Sequence, residues 1–287
     1  MAIASPVDYL ISAQHESGGW GYKTGHKPVV EPTAAVLLAI RDEPLANDAY
    51  QRGILWLLTC QHDDGGWGIN NNDPESGWHT TWALIVLKAY NQNKDAITRA
   101  VEWLITVATD KVSKGEFRKQ ENYQSSDFRS LVWPWLPGQV CWIEPTALAV
   151  LALVGITDSP LADARIKAAV DYFVRFRTPS GGWNVGNAGA LDTLVIPRAY
   201  QTALVLMALA KISIETILPT DLSVLQKDMS QDPSILAQSA GSLAMRLLGE
   251  NNETPTSHLY DFQLSDGSWD HSPFFTAWAV LGMRGYL

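Results

Sequence analysis

A short ending recurs along the chain and limits its fold more than any other feature. Residues 61–68 read QHDDGGWG, residues 14–21 read QHESGGWG, and weaker copies end at Trp183 and Trp269. Paired glycines allow the positive φ angles of a tight turn, and a following tryptophan can cover the ends of helices. The glutamine can bond exposed backbone groups at a helix end. An ending repeated in this way predicts a structural role in a repeat protein.

Two kinds of helical segment alternate between these turns. Amphipathic segments, expected as outer helices with one side in water, cover 5–14, 47–61, 97–108, 159–176, 254–263 and, more weakly, 220–229. Nearly all-apolar segments, expected as inner helices, cover 31–40, 79–90, 144–154, 197–210, 232–248 and 272–283. We therefore predict an all-α fold, a single (α/α)6 toroid of about six helix pairs. It forms one domain over residues 1–287, with an insertion at about 109–142.

Composition and charge exclude several functional classes. The net charge of −9 offers no basic surface for nucleic acid. No apolar run is long enough for a membrane span, although peripheral contact with a membrane stays open, and the N-terminus does not resemble a secretory signal. We therefore expect a soluble, cytoplasmic protein. The composition includes 12 tryptophans, and this number calls for a structural or functional explanation.

The repeated turns carry a resemblance to a known superfamily. The matching residues are Arg52, Gly53, Trp56, Gln61, Gly66 and Trp67, and again Lys167, Ala168, Tyr172, Gly182 and Trp183. They resemble the QW motif of squalene–hopene and oxidosqualene cyclases, with Arg177 where glutamine is usual. The chain is thereby similar to the terpene cyclase and protein prenyltransferase β-subunit superfamily. This resemblance implies an α-helical barrel and an apolar, isoprenoid-like small molecule as ligand.

Candidate site residues lie where the chain enters the inner helices, because those entrances converge on one end of the barrel. The aromatic candidates for substrate binding are Trp78, Trp133, Trp135, Trp142, Tyr200, Phe274 and Phe275. Such a pocket suits an apolar polyene, and aromatic faces stabilise cations formed from it. The run of three tryptophans between 133 and 142 is the feature most typical of a pocket wall or an interface.

The resemblance implies an acid that protonates the substrate, and the chain departs from the expected motif. No DxDD sequence is present, and the segment WIEPTA places Glu144 where the protonating aspartate would lie. The segment VVEPTA repeats the pattern at Glu31, and His79 could orient an acid across the barrel mouth. Burial would keep such a carboxyl protonated, while the helix N-terminus favours its ionised form. A purely structural role for Glu-Pro at a helix start is the alternative.

Metal and cofactor chemistry is not indicated. The prenyltransferase branch implies a zinc site with an aspartate two residues before a cysteine. Leu58 precedes Cys60 and Gln139 precedes Cys141 at this spacing, so we interpret both cysteines as packing residues. We therefore expect neither a metal nor a cofactor.

Three functions remain open. The first is a terpene cyclase-like enzyme that binds a polyprenyl chain and cyclises it by protonation from Glu144. The second is a non-catalytic toroid that binds an apolar ligand or a protein partner through its aromatic mouth. Class II cyclases usually place their cavity between two barrels, so this barrel either pairs with a second barrel, from another chain or in a homodimer, or has lost that cavity. The third, a glycan-cleaving toroid, would use Glu31 and Glu144 as its two carboxylates.

Overall fold

The computed structural model describes residues 4–107, 131–185, 196–250 and 253–285, with only the backbone of 253–256. Within these ranges the chain forms α-helices in an outer and an inner series. The outer helices are α1 (Pro6–Ser12), α3 (Asn47–Thr59), α5 (Lys94–Thr106), α7 (Pro160–Phe176), α9 (Pro219–Gln231) and α11 (Glu253–Asp261). The inner helices are α2 (Val30–Ala39), α4 (His79–Tyr90), α6 (Ile143–Leu153), α8 (Ala199–Ile212), α10 (Ile235–Leu247) and α12 (Pro273–Arg284). Short 3-10 turns occupy Pro44–Ala46 and Ile214–Thr216.

The inner helices form a closed ring. Each of the six packs against the next in chain order, and α12 packs against α2. Each outer helix packs against an inner helix beside it, so the predicted (α/α)6 toroid is confirmed. None of the helices in the described ranges is both long and apolar enough to cross a membrane.

Small residues allow the inner helices to approach closely. All ten residues of α2 are buried, and Ala34, Ala35 and Ala39 are fully inaccessible. The outer helices bury one face only, as the charges on their other face require. The two burial patterns distinguish inner from outer helices as predicted, and the helix bounds agree with the predicted segments to within about three residues.

The repeated tryptophan joins an outer helix to the next inner helix. The Trp67 indole N–H donates to the carbonyl of Leu57 at 2.8 Å, and its backbone N–H donates to the hydroxyl of Thr80 at 2.9 Å. Gln61 donates to the carbonyls of Gly65 and Ala96, which ties α3 to α5. The same indole bond to an outer helix recurs at Trp20, Trp183 and Trp269. The predicted structural role of these residues is confirmed.

Trp133 is the corresponding tryptophan of the third repeat. Its indole donates to the carbonyl of Leu104 at 2.9 Å, and its backbone N–H donates to Thr146 at 3.2 Å. The repeat therefore resumes at Trp133, ten residues before α6, whereas the predicted insertion ran to 142. Most of that insertion, residues 108–130, lies outside the described residues.

The fourth turn replaces glutamine by a buried ion pair. Arg177 lies 3.0 Å from Asp221, which is fully buried on α9, and donates to the carbonyl of Thr216. The Asp221 carboxylate also accepts from the backbone N–H groups of Gly182 and Leu218, both at 2.9 Å. Arginine here serves the same linkage between outer helices as glutamine does in the first two turns.

Replacing Trp133 by phenylalanine is expected to lower the free energy of unfolding by about 1–3 kcal/mol, because a buried hydrogen bond is lost. The loss should be visible in urea unfolding. Trp135→Phe is the matched control, since Trp135 is only half-buried and its indole makes no hydrogen bond among the described residues. Equal effects of the two substitutions would contradict a structural role specific to Trp133.

Candidate functional site

Two glutamates occupy equivalent places at one end of the barrel. Glu31 is the second residue of α2, Glu144 is the second residue of α6, and each is followed by proline. The first residue of each helix makes an equivalent hydrogen bond to a following turn: the backbone N–H of Val30 donates to the carbonyl of Ile69, and that of Ile143 donates to the carbonyl of Val185. Because α4 lies between α2 and α6 in the ring, the two carboxyls belong to helices that are not neighbours.

Glu31 is buried and bonded to a tyrosine. Its residue is only 7% exposed, and the hydroxyl of Tyr22 donates to its carboxylate. Burial raises the pKa of Glu31 to about 7, and the charge of Glu144 adds to the rise, while the bond from Tyr22 opposes it. Glu31 is therefore a carboxyl that exchanges its proton near neutral pH.

Glu144 has a similar pKa and different partners. The side-chain amide of Gln201 donates to its carboxylate at 3.3 Å, and the hydroxyl of Tyr200 also bonds to it. Burial raises the pKa of Glu144 to about 7 against these two donors. Both donors lie in the first turn of α8, so this inner helix positions the partners of the α6 carboxyl.

These side chains form one electrostatic unit, which we name the carboxyl–tyrosine cluster: Glu31, Glu144, Tyr22 and Tyr200. Burial is the largest cause of the raised pKa of Tyr200, and the charges of both glutamates add to it. Tyr22 behaves likewise, with contributions from the same two carboxyls. A second ionisation in this cluster is therefore unfavourable, and the cluster retains a proton near neutral pH.

Aromatic rings border this cluster. Phe274 packs edge-on to Tyr22 at 5.3 Å between ring centroids, and Trp278 packs edge-on to Tyr200 at 5.7 Å. Trp82 meets Trp278 at 5.8 Å. Because α4, α8 and α12 are not ring neighbours, these rings meet across the barrel axis. The indole N–H groups of Trp82 and Trp278 are buried and have no hydrogen-bond partner among the described residues.

His79 belongs to a second aromatic group at the same end. Its ring lies 4.5 Å from Trp78, which contacts Trp135 edge-on at 4.8 Å. Burial lowers the pKa of His79 to about 4, so its imidazole is neutral at pH 7. In the part of the chain that the structure describes, no hydrogen bond joins His79 to Glu31 or Glu144. Its role in orienting an acid stays a prediction.

The remaining predicted residues are distributed between the mouth and the framework. Trp142 is half-buried at the start of α6 and donates its backbone N–H to the carbonyl of Trp133. Trp133 itself is buried within the third turn, so its indole serves the framework. Phe275 lies beside Phe274, with ring centroids 5.7 Å apart, and packs against both the main core and a small cluster that includes Leu259 of α11. Of the seven aromatic candidates, Tyr200 belongs to the carboxyl–tyrosine cluster and Phe274 contacts it through Tyr22.

Sequence reasoning missed four residues at this site: Tyr22, Gln201, Trp82 and Trp278. Tyr22 lies two residues after the repeat tryptophan Trp20, and its hydroxyl group, close in sequence to Glu31, could have indicated a hydrogen-bond donor for that carboxyl. Gln201 follows Tyr200 in the first turn of α8, where a polar side chain in an apolar helix was also a signal. Trp82 and Trp278 looked like ordinary core residues, and only the ring geometry brings them together.

Comparison with protein families identifies the chain. A model of the squalene–hopene cyclase C-terminal domain matches residues 3–215. The chain belongs to this family. No curated protein sequence matches it. Across the described residues, no group of three His, Cys, Asp or Glu side chains is arranged to hold a metal ion.

Solved structures with the same fold extend beyond this cyclase family. A protein from Actinoplanes is 17% identical, with a TM-score of 0.65 over 98% of this chain and 97% of that one. Type II terpene cyclase MstE from Scytonema, in complex with its substrate geranylgeranyl dihydroxybenzoate, is 17% identical, with a TM-score of 0.63 over 97% and 94%. An α-amylase from Clostridium perfringens is 11% identical, with a TM-score of 0.70 over 99% and 97%. These likenesses concern the fold alone.

Proposed function

We propose that this chain binds an apolar isoprenoid chain at the barrel mouth and cyclises it by proton transfer from Glu144. The observation that carries this proposal is the carboxyl–tyrosine cluster, in which two buried glutamates have pKa values near 7 beside aromatic rings. A carboxyl that is still protonated near neutral pH can act as a general acid. Aromatic faces stabilise the cation that protonation of an alkene creates.

The proposed step follows from the partners of each carboxyl. Protonated Glu144 transfers its proton to a terminal alkene carbon, which leaves a carboxylate on Glu144 and a cation on the substrate. Tyr200 and Gln201 donate to that carboxylate and so favour the transfer. The charge of Glu144 raises the pKa of Glu31, so Glu31 keeps its proton while Glu144 is ionised. A neighbouring alkene then attacks the cation, and loss of a proton to a base or to water completes the cyclisation.

The MstE complex supports both the substrate class and the size of the enzyme. That protein is a type II terpene cyclase bound to a geranylgeranyl substrate, and the present chain covers 94% of it. A type II cyclase can therefore be covered almost entirely by one barrel of this kind. The usual arrangement of two barrels is not required for the activity proposed here.

The test is a product assay with and without the acid. The chain is incubated with geranylgeranyl and farnesyl compounds, without detergent, and cyclic products are measured by mass spectrometry. We expect Glu144→Gln to abolish cyclic product, since the amide cannot supply the proton. The activity of the unaltered chain should fall as pH rises above about 7, because Glu144 then ionises. Normal turnover by Glu144→Gln would remove Glu144 from the chemistry.

A second candidate function has an observation of its own. The rings of Trp82, Trp278 and Tyr200 meet across the axis, which favours a mouth that holds an apolar ligand without transforming it. This non-catalytic function predicts equal binding of a polyprenyl compound by the unaltered chain and by Glu144→Gln, with no product from either. Binding that requires a stable dimer would instead assign the aromatic mouth to an interface with a second barrel.

A further inference from the structure

The opposite end of the barrel contains a cavity, which lies far from the carboxyl–tyrosine cluster along each inner helix. It has a volume of about 380 Å³, within the range of roughly 300–1,000 Å³ that is typical of small-molecule sites. Its lining comes from the C-terminal ends of all six inner helices or the residues just after them. The cavity therefore lies where the axis of the ring leaves the protein.

The wall of this cavity is apolar inside and cationic at its edge. Ile85, Met207 and Leu243 form buried parts of the wall, with 2–4% exposure. Arg41 and Lys211 also line it and are exposed to solvent. Lys88 completes the set of cations, and no carboxylate is among the described lining residues. In a chain with a net charge of −9, this concentration of positive charge is unexpected.

The ammonium group of Lys88 is fully hydrogen-bonded within the protein. It donates to the carbonyls of Leu151, Ala152 and Val154 at 2.7, 3.0 and 3.2 Å, and so closes the C-terminal end of α6. All three of its protons are used, and Lys211 remains the lysine able to bond a ligand. Burial and, to a smaller extent, the nearby charge of Lys211 lower the pKa of Lys88 to about 8.

A positive side chain in the last turn of a helix is stabilised by the helix dipole, which accounts for Lys88 and Lys211 individually. It does not explain why these lysines and Arg41 line the same cavity. Arg41 lies 5.9 Å from the ring of Tyr90, which leaves its guanidinium beside the cavity instead of pairing it with an acid. Like charges around one cavity repel each other, and an anion between them relieves that repulsion.

We propose that this cavity binds a small anionic amphiphile, with its short apolar tail against Ile85, Met207 and Leu243 and its carboxylate or phosphate head between Arg41 and Lys211. The volume limits the tail. It equals that of about a dozen water molecules in the liquid, which suits a chain of about eight carbons. The site is separate from the cyclase site proposed at the other end and does not depend on it.

The test measures binding of octanoate to the full chain by isothermal titration calorimetry, at low salt and pH 7. We expect saturable one-to-one binding. Octanol, which lacks the charge, should bind at least tenfold more weakly, and inorganic phosphate, which lacks the tail, should not bind at the same concentrations. Octanol binding as tightly as octanoate would overturn the proposal, and so would an absence of saturable binding.

Two variants locate the site by independent means. Lys211→Met removes the charge and keeps the cavity, whereas Ala89→Phe fills the cavity and keeps the charge. Each should weaken octanoate binding about tenfold or more, with folding checked by thermal melting. Lys227→Met, an exposed lysine on α9, is the matched control and should bind normally. Unchanged binding by Lys211→Met would overturn the proposal even if Ala89→Phe fails to fold.

Two further arms separate this site from other sources of binding. Glu144→Gln should leave octanoate affinity unchanged, and a changed affinity would assign the binding to the mouth instead. Vesicles of anionic phospholipid test a membrane surface as the source of the anionic head. Retention on such vesicles without binding of free octanoate would also overturn the proposal.

Discussion

Asp221→Ala is expected to lower the free energy of unfolding by about 3–5 kcal/mol, the typical cost of removing one partner of a buried ion pair. Arg177 would remain largely buried without its counter-charge, since its side chain is only 13% exposed. The N–H groups of Gly182 and Leu218 would also lose their acceptor. Urea unfolding monitored by tryptophan fluorescence measures the loss.

Two comparisons make this result specific. Asp48→Ala removes an exposed carboxylate 3.9 Å from Arg52 on the same helix, and we expect a loss below about 0.5 kcal/mol. Adding Arg177→Gln to Asp221→Ala removes the unpaired cation and supplies the glutamine of the other turns. The double variant should therefore be more stable than Asp221→Ala alone. Additive losses would show that the two side chains act independently.

Glu31→Gln is expected to stabilise the protein at pH 8 by about 3 kcal/mol. The pKa of Glu31 is about 7 in the folded chain, above the ordinary 4.5, so the folded state holds a proton that the unfolded state has released between these values. Stability therefore falls as pH rises from about 4.5 to 7, by up to about 1.4 kcal/mol per pH unit, and the penalty is constant above pH 7.

The amide removes this penalty and can still accept the hydrogen bond from Tyr22. The difference between Glu31→Gln and the unaltered chain should therefore shrink as pH falls and approach zero below pH 4.5, where Glu31 is protonated in both the folded and the unfolded state. Chemical unfolding at pH 5, 6, 7 and 8 measures it. Glu16→Gln, an exposed control, should show no such trend. A destabilised Glu31→Gln at pH 8 would mean that Glu31 is ionised without penalty in the folded chain.

The helical framework was predictable because its signals are local. The period of apolar residues distinguished inner from outer helices, the Gly-Gly-Trp ending marked three of the turns, and Gly-Ser-Trp marked a fourth at Trp269. The third turn was missed although it carries a signal of its own. Trp133 precedes Thr146 by 13 residues, as Trp20 precedes Thr33 and Trp67 precedes Thr80. This spacing of 13 residues reflects a hydrogen bond that all three turns share, in which the tryptophan backbone N–H donates to the hydroxyl of the inner-helix threonine.

The site was only partly predictable, because its parts are distant in sequence. Glu31 and Glu144 were selected by their helix starts, and the structure gives them a shared electrostatic environment. Their tyrosine partners differ in origin, since Tyr22 comes from a turn and Tyr200 from α8. No pattern within one repeat specifies such a meeting.

The sequence alone determined the repeat, the helices, the order of inner and outer layers and the helix starts that carry the two glutamates. Tertiary structure alone decided which residues face one another across the axis, both at the carboxyl–tyrosine cluster and at the cation-lined cavity. The physical reason is the closure of the ring. Each helix contributes about one turn to either end, and those turns meet only when six helices pack side by side.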